Sequence, residues 1–216
     1  MSIEHHPPDS MLAAFAAGTL DHGQHIAIAT HLVSCGHCRR FARSMEQVGG
    51  AVLDRLQPAA MSSRALAEVE ARLNEPARPA AKQVAPSLPE TEVPALPQFV
   101  RRYRFENWKW IAPSVHLRPI VLPYASNTRV FLLRSGPGTK MLQHTHTGIE
   151  MTCILSGAFR QDGAHYGPGD FDLGDETIDH RPVVEPGQDC VCLVAMQGEL
   201  QLKGLIGRIV QPFVRL

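Results

Sequence analysis

The chain has 216 residues with 21 basic and 21 acidic side chains, so its formal net charge is zero and its pI is about 7.2. This balance argues against a general nucleic-acid binder, because such domains are usually strongly basic. The length exceeds the commonest domain size of about 100–150 residues and favours two compact units.

Apolar runs are shorter than the about 20 residues that a membrane helix needs, and the N-terminus lacks a basic region followed by a long apolar run. We therefore expect a cytoplasmic protein. Five cysteines are an odd count, which argues against a disulfide framework in a reducing compartment.

The N-terminal third has the periodicity of short amphipathic helices. Asp9 is predicted to cap a first helix that ends near Gly18, and Asp21 to open a second helix that runs toward Cys35.

Two more helices are predicted after Cys38. The apolar pattern from Arg39 to Leu56 contains Gly49 and Gly50, where we expect a break or kink, and a further helix is predicted over 63–74. Four short helices bury little apolar surface of their own, so some of it should remain available to a partner.

Metal-donor side chains stand where the second helix ends. His31, Cys35 and Cys38 follow one another at spacings of four and three, which places three donors on one side of a helix that runs into a turn. Zinc is the natural ion for this set, and His5 or His6 is the leading source of a fourth ligand. The alternatives for the two cysteines are a redox pair or buried thiols.

An early histidine followed by His-x3-Cys-x2-Cys resembles the zinc-binding anti-sigma factors. This resemblance implies that His6, His31, Cys35 and Cys38 hold a structural zinc ion, with His5 as the alternative to His6. It also implies that a small helical domain clamps a sigma factor of the extracytoplasmic-function group.

Prolines and alanines dominate the next segment. Residues 77–97 are predicted to form a semi-extended linker that holds a helical domain, residues 1–76, apart from a second domain, residues 98–216. The second domain is predicted to be all-β. Its expected strands include 120–122, 130–133, 149–155, 190–196 and 209–216.

A histidine motif lies in this β region. His144 and His146 alternate along a predicted strand, so both side chains lie on one face and can share one metal, and Glu150 can add an oxygen ligand. With Gly138 before it and Gly157 after it, the stretch resembles the first motif of the cupin family. The resemblance implies an antiparallel barrel, the double-stranded β-helix or jelly roll, with a metal in its mouth.

His180 is the fourth ligand that the cupin resemblance implies, because it follows the turn at 166–170 that opens the second motif. His165, which precedes the turn, is the alternative, whereas His116 lies early in the β region, away from either motif. Three imidazoles and a carboxylate suit a second divalent metal, zinc first, with iron, manganese or nickel also compatible.

Cys190 and Cys192 share one face of a predicted strand. They are either two small core residues or an oxidant-responsive pair near the metal. Cys153 is most simply a core residue.

Taken together, the two motifs make the chain similar to the ChrR-type anti-sigma factors. The resemblance implies a protein that is not an enzyme. It would bind one extracytoplasmic-function sigma factor, in a 1:1 complex, and release it under oxidative stress such as singlet oxygen, with the cupin domain needed for the response. The alternative is a metal-dependent cupin dioxygenase that acts on a small molecule.

Overall fold

The computed structural model describes residues 2–76, 92–124 and 126–202. Four helices come first: α1 (Asp9–Ala16), α2 (His22–Ser34), α3 (Gly36–Leu53) and α4 (Ala65–Leu73). A 3-10 turn (Val100–Arg102) then leads into an antiparallel β structure. The predicted strand over 209–216 and most of the predicted linker, 77–91, lie outside the described residues.

The predicted start of α2 is confirmed, whereas that of α1 is wrong in detail. The Asp21 carboxylate accepts a hydrogen bond from the Gly23 N–H at 2.9 Å, and Gln24 closes the capping box from the other side. Asp9 does not cap α1 but is its first helical residue, because the Pro8 carbonyl already accepts from the Met11 N–H at 2.9 Å.

Helix α3 continues through both of its central glycines, so the expected break is wrong. Glycine costs only about 1 kcal/mol relative to alanine inside a helix. The backbone ladder continues past it, with the Asp54 N–H donating to the Gly50 carbonyl at 3.0 Å. Helix α2 meets α3 at one residue, Cys35, which ends α2 and caps α3.

The β structure has twelve strands in the described residues. In chain order they are β1 (Arg104–Phe105), β2 (Lys109–Ala112), β3 (Val115–Val121), β4 (Thr128–Ser135), β5 (His144–His146), β6 (Glu150–Ser156), β7 (Phe159–Gln161), β8 (Ala164–Tyr166), β9 (Phe171–Gly174), β10 (Val183–Val184), β11 (Cys190–Gln197) and β12 (Leu200–Leu202). Within the described residues they pair as one seven-stranded sheet, β1-β3-β4-β11-β6-β9 with β2 on β3, and as two smaller sheets, β10-β7-β8 and β12-β5.

The large sheet is buried on both faces, which explains the nearly continuous apolar sequence of its central strand. Along β11 the side chains alternate. Cys192 and Val194 face the interior of the β structure, whereas Leu193 and Ala195 face the helices.

Helix α2 packs directly on the outer face of this sheet. Ile28 and Leu193 share one buried cluster there, and neither is exposed to solvent. Gly23 permits the close approach, since a Cβ at that position would lie 2.7 Å from the side chain of Thr128. The expectation that a linker holds the helices apart from the β structure is therefore wrong.

The last part of the predicted linker also belongs to this core. Val93 and Leu96 are buried in the same cluster as Ile28. The buried Arg101 side chain donates to the Leu96 carbonyl at 3.1 Å.

Among the helices that the structure describes, none has the length and hydropathy that crossing a membrane requires.

Candidate metal centres

The α2–α3 junction brings the four predicted donors of the helical part together. One ligand atom from each of His6, His31, Cys35 and Cys38 lies within 4.8 Å of the others. The Nδ1 atom of His6 is 3.4 Å from both sulfur atoms, and the Nε2 atom of His31 is 3.3 Å from the Cys38 sulfur. We call this group the thiolate cluster.

These separations fit a shared zinc ion. A tetrahedral zinc lies about 2.0 Å from nitrogen and about 2.3 Å from sulfur, which separates such donors by about 3.5 Å. The tight junction is the reason that the sulfurs converge, because Cys35 caps α3 and its sulfur accepts from the Cys38 N–H at 3.4 Å. The donor set and its geometry therefore suit zinc.

Protonation in the thiolate cluster also suits a cation. Burial lowers the pKa of His31 to about 4, so its imidazole is neutral. Its Nδ1–H donates to the Gly169 carbonyl at 2.8 Å, which leaves the Nε2 lone pair directed at Cys38. Burial and the neighbouring Cys35 raise the pKa of Cys38 to about 12, so a metal ion binding here must displace the thiol proton.

The structure places the other N-terminal histidines outside this cluster. His5 stacks on the Tyr166 ring, with the ring centres 4.0 Å apart, and its Nε2–H donates to the His165 carbonyl. His37 is exposed although it lies between the two cysteines. His22 contacts the Tyr103 hydroxyl at 2.9 Å.

A second cluster lies inside the β structure. His144 and His146 lie on β5, and a two-way backbone pairing with His144 holds His180 opposite them. The Nε2 atoms of His144 and His180 are 2.9 Å apart, and those of His146 and His180 are 3.2 Å apart. We call these three residues the histidine cluster.

The histidine cluster fits a divalent metal for the same reasons. Three Nε2 atoms converge, and the His144 Nδ1–H donates to the Leu142 carbonyl at 2.7 Å, so that its Nε2 carries the lone pair. Burial lowers the pKa of all three imidazoles, to about 4 for His146 and His180, and keeps them neutral. Neutral imidazoles are ligands for zinc, iron, nickel and copper.

Glu150 lies beside the histidine cluster rather than inside it. Its Oε2 atom is 3.7 Å from the His146 Nδ1, and its Oε1 accepts from the Thr152 hydroxyl at 3.2 Å. Burial raises the pKa of Glu150 to about 7. The carboxylate is therefore a neighbour of the three converging imidazoles and not a fourth member of their group.

A cavity of about 90 Å³ opens on this cluster. Its wall is mostly apolar, with His144, His180, Glu150 and Asp172 as the charged or titratable side chains and both thiols of β11 on the same wall. The sulfur atoms of Cys190 and Cys192 are 3.7 Å apart. Cys153 is buried on the opposite face of the sheet, against the helices.

His165, the alternative to His180, and His116 both lie outside the histidine cluster. His165 is exposed and its ring contacts Glu185, while His116 lies on β3 and pairs with Arg134 on β4. Sequence reasoning identified Gly169 and Asp170 only as part of the turn at 166–170 and gave no role to Asp172. It did not predict that Asp170 accepts from the Glu4 N–H or that Gly169 accepts from His31, because these partners are remote in sequence.

The fold and the two clusters together define a cupin protein that carries a helical, metal-donor N-terminal part. A family description, the ChrR cupin-like domain, matches residues 98–200. Over 218 residues the chain is 36% identical to the anti-sigma-E factor ChrR of Cereibacter sphaeroides, with all of both chains covered. The chain belongs to this family of ChrR anti-sigma factors.

A solved structure agrees with this assignment. It is described as SigE of Rhodobacter sphaeroides in complex with the anti-sigma ChrR. The match has a TM-score of 0.73 at 33% identity and covers 91% of this chain and 100% of that one.

Proposed function

We propose that this chain binds and inhibits a sigma factor of the extracytoplasmic-function group, in a 1:1 complex. The support is its full-length relation to a protein named as an anti-sigma-E factor and a fold match to a chain solved with SigE. Both relatives are named as anti-sigma factors rather than enzymes, which disfavours the dioxygenase alternative. A sigma factor acts with RNA polymerase, so the proposed place of action is the cytoplasm.

The single observation that carries this proposal is a set of exposed apolar side chains on α3, directly after α3 and on α4. The exposed fraction of these side chains lies between 52% and 78%. We call the set the α3–α4 surface; it consists of Val48, Val52, Leu53, Leu56, Leu66, Val69 and Leu73.

Helix α4 lacks the packing within this chain that would stabilise it. It has nine residues and none of them is buried. A helix of this length is marginal in water, because helix stability in proteins comes mostly from packing an apolar face. A partner that offers an apolar groove would bury Leu66, Val69 and Leu73, which is how amphipathic helices are commonly recognised.

We assign the two parts of the chain separate roles. Residues 1–76 form the sigma-binding domain, 77–97 the connection and 98–216 the cupin domain. Zinc in the thiolate cluster is structural, because two thiolates and two imidazoles close a tetrahedron and leave no position for water.

In the cupin domain, His144, His146 and His180 would hold a second divalent metal, with Glu150 as the fourth ligand. Zinc is the first choice, and iron, manganese and nickel are compatible with the donors. When bound, such a metal supplies an open coordination position for a small ligand. The cupin domain is proposed to respond to oxidative stress such as singlet oxygen, and the cavity beside the cluster gives a small molecule access to it.

Affinity capture tests the proposed partner. The full chain, loaded with zinc, is used as bait in a lysate of its native cells, beside the double variant Cys35→Ser, Cys38→Ser, and bound proteins are identified by mass spectrometry. We expect one sigma factor on the wild-type bait alone. Retention of no sigma factor, or equal retention by both baits, would contradict the proposal.

A further inference from the structure

The N-terminal segment that carries His6 is attached to the cupin part, not to the helices alone. Residues 4 and 5 run beside the turn between β8 and β9. The Phe171 N–H donates to the His5 carbonyl at 3.1 Å, and the His5 ring stacks on Tyr166. His6 follows directly, so the position of this donor is set by the attachment of the two residues before it.

Asp170 is the centre of this attachment. Its side chain is buried, and one carboxylate oxygen accepts from the Glu4 N–H at 2.7 Å and from the His5 N–H at 3.0 Å. The other oxygen accepts from the Gly167 N–H at 2.8 Å and closes the turn. A carboxylate that accepts three backbone N–H groups makes strong, charge-assisted bonds.

Gly169 supports a second donor of the thiolate cluster from the same turn. Its carbonyl accepts from the His31 Nδ1–H, which fixes the tautomer and the ring orientation. The turn also approaches the helical part closely, since a Cβ at Gly169 would lie 2.7 Å from the Ile3 side chain and 3.3 Å from the Ser34 side chain.

We propose that the Gly167–Asp170 turn of the cupin part positions two donors of the thiolate cluster, His6 through Asp170 and His31 through Gly169. Asp170 and Gly169 are then positioning residues that set how firmly this cluster holds its metal. The inference rests on the proposed metal at His6, His31, Cys35 and Cys38, and does not depend on sigma binding. Its consequence is that a change in the cupin part can loosen the metal site of the sigma-binding part without touching a ligand.

Cobalt(II) is the probe that tests this proposal in the full chain. Cobalt bound by thiolates has a sulfur-to-cobalt charge-transfer absorption, which the histidine cluster lacks. The rate at which a chelator removes this absorption is compared for the wild type, Asp170→Ala, Asp170→Asn and Gly169→Ala. Loss of an outer-shell partner typically costs about 10- to 100-fold in metal affinity.

We expect Asp170→Ala and Gly169→Ala to release cobalt at least about tenfold faster than the wild type. Asp170→Asn should release cobalt at a rate between those of the wild type and Asp170→Ala, because an amide oxygen still accepts from the Glu4 and His5 N–H groups. Gly169→Ala should also shift the charge-transfer band, because it displaces the His31 ring. A loss of stability in the cupin part alone would not shift this band.

Two nearby substitutions serve as matched controls. Gly163 has a positive φ of 84°, comparable to the 93° of Gly169, but a Cβ there meets no atom within 4 Å. Asp162 is an exposed carboxylate in the same β7–β8 hairpin. Gly163→Ala and Asp162→Asn should release cobalt at the wild-type rate.

Release at the wild-type rate from both Asp170→Ala and Gly169→Ala would overturn the proposal while leaving the metal site intact. A wild-type chain that shows no sulfur-to-cobalt band would instead refute the metal site, and the inference with it. The two failures are therefore distinguishable in one experiment.

Discussion

At the scale of single residues, burial keeps two donors of the thiolate cluster, His31 and Cys38, uncharged. The buried His31 is neutral because its pKa is lowered to about 4, and the Cys38 thiol is protonated because its pKa is raised to about 12. Buried thiolates are costly without a cation beside them, whereas a coordinated thiol loses its proton outright. The cluster therefore depends on its metal for the charged form of its own ligands.

Cys38→Ser should abolish metal binding at the thiolate cluster. A serine hydroxyl is a poor ligand for zinc, and loss of the ion removes the link between the N-terminal segment and the α2–α3 junction. We expect the zinc content to fall by one ion per chain, measured by elemental analysis. As a control, His37→Ala changes an exposed imidazole between the same cysteines and should leave the zinc content unchanged. Retention of full zinc and full sigma inhibition by Cys38→Ser would show that the ligand assignment is wrong.

His144→Ala and Glu150→Ala should separate sensing from inhibition. Both residues line the cupin cavity, whose lining contains no residue of the α3–α4 surface, so sigma binding should persist while the response to singlet oxygen is blunted. A reporter driven by the sigma factor measures both properties. His165→Ala, at an exposed position of the same domain, serves as the control. Loss of basal inhibition in either variant would contradict this separation of roles.

Among the elements, β9 contacts both clusters. At its start, the Phe171 ring packs edge-on against His31, with ring centres 5.7 Å apart. At its end, a Cβ on Gly174 would lie 3.2 Å from the His146 ring. Between them, Asp172 lines the cavity, and burial raises its pKa. One strand of four residues thus contacts both the thiolate cluster and the histidine cluster.

Helices α3 and α4 are the elements on which sigma binding should depend. Val52→Ser and Leu56→Ser together remove two exposed apolar side chains from the α3–α4 surface, so the fold should tolerate them. We expect affinity for the captured sigma factor to weaken about tenfold or more in a calorimetric titration, because buried apolar contacts at the centre of an interface carry most of its energy. Val33→Ser, an equally exposed valine on α2, is the matched control. Unchanged affinity in the double variant would exclude this surface as the interface.

For the whole molecule, buried histidines couple stability to pH in the metal-free chain. The pKa values of His31, His146 and His180 are lowered to about 4, against about 6.5 for an exposed imidazole. The unfolded chain therefore binds more protons between these limits, and the stability that the neutral imidazoles provide above about pH 6.5 is lost as the pH falls toward about 4. Glu150 acts in the opposite sense, since its pKa is raised to about 7 and its contribution is lost as the pH rises.

We expect the melting temperature of the chelator-treated chain to fall as the pH is lowered from about 6.5 to about 4, because the buried histidines with a lowered pKa, which include His144, outnumber the two carboxyls with a raised pKa, Glu150 and Asp172. Calorimetry over this range measures it. His180→Ala should flatten the dependence, and the exposed His165→Ala should not. A melting temperature that stays constant or rises on acidification would contradict the assigned burial of these imidazoles.

Local patterns predicted five of the donors, because the spacing of residues along a strand or at a helix end determines which side chains share a face. These donors are His144 and His146 on a strand, and His31, Cys35 and Cys38 at a helix end. His6 and His180 depended on family resemblance, and the structure brings both into their clusters. That structure places Glu150 beside its cluster, and its role as a ligand stays a prediction.

Packing between remote segments was not predictable in the same way. The contacts of Asp170 with residues 4 and 5 span about 165 positions, and the burial of α2 on the sheet depends on complementary shapes at Gly23 and Thr128. Periodicity reports which face of an element is apolar, but it does not say which other element covers that face. The prediction of separated domains failed for this reason.

Transcription by reconstituted RNA polymerase with the captured sigma factor tests the central claim most directly. The full zinc-loaded chain is titrated into the reaction, beside Cys38→Ser. We predict that transcription ceases near one equivalent of the wild-type chain and that Cys38→Ser is ineffective at the same ratio. Undiminished transcription at a large excess of the wild-type chain would contradict the assignment as an anti-sigma factor.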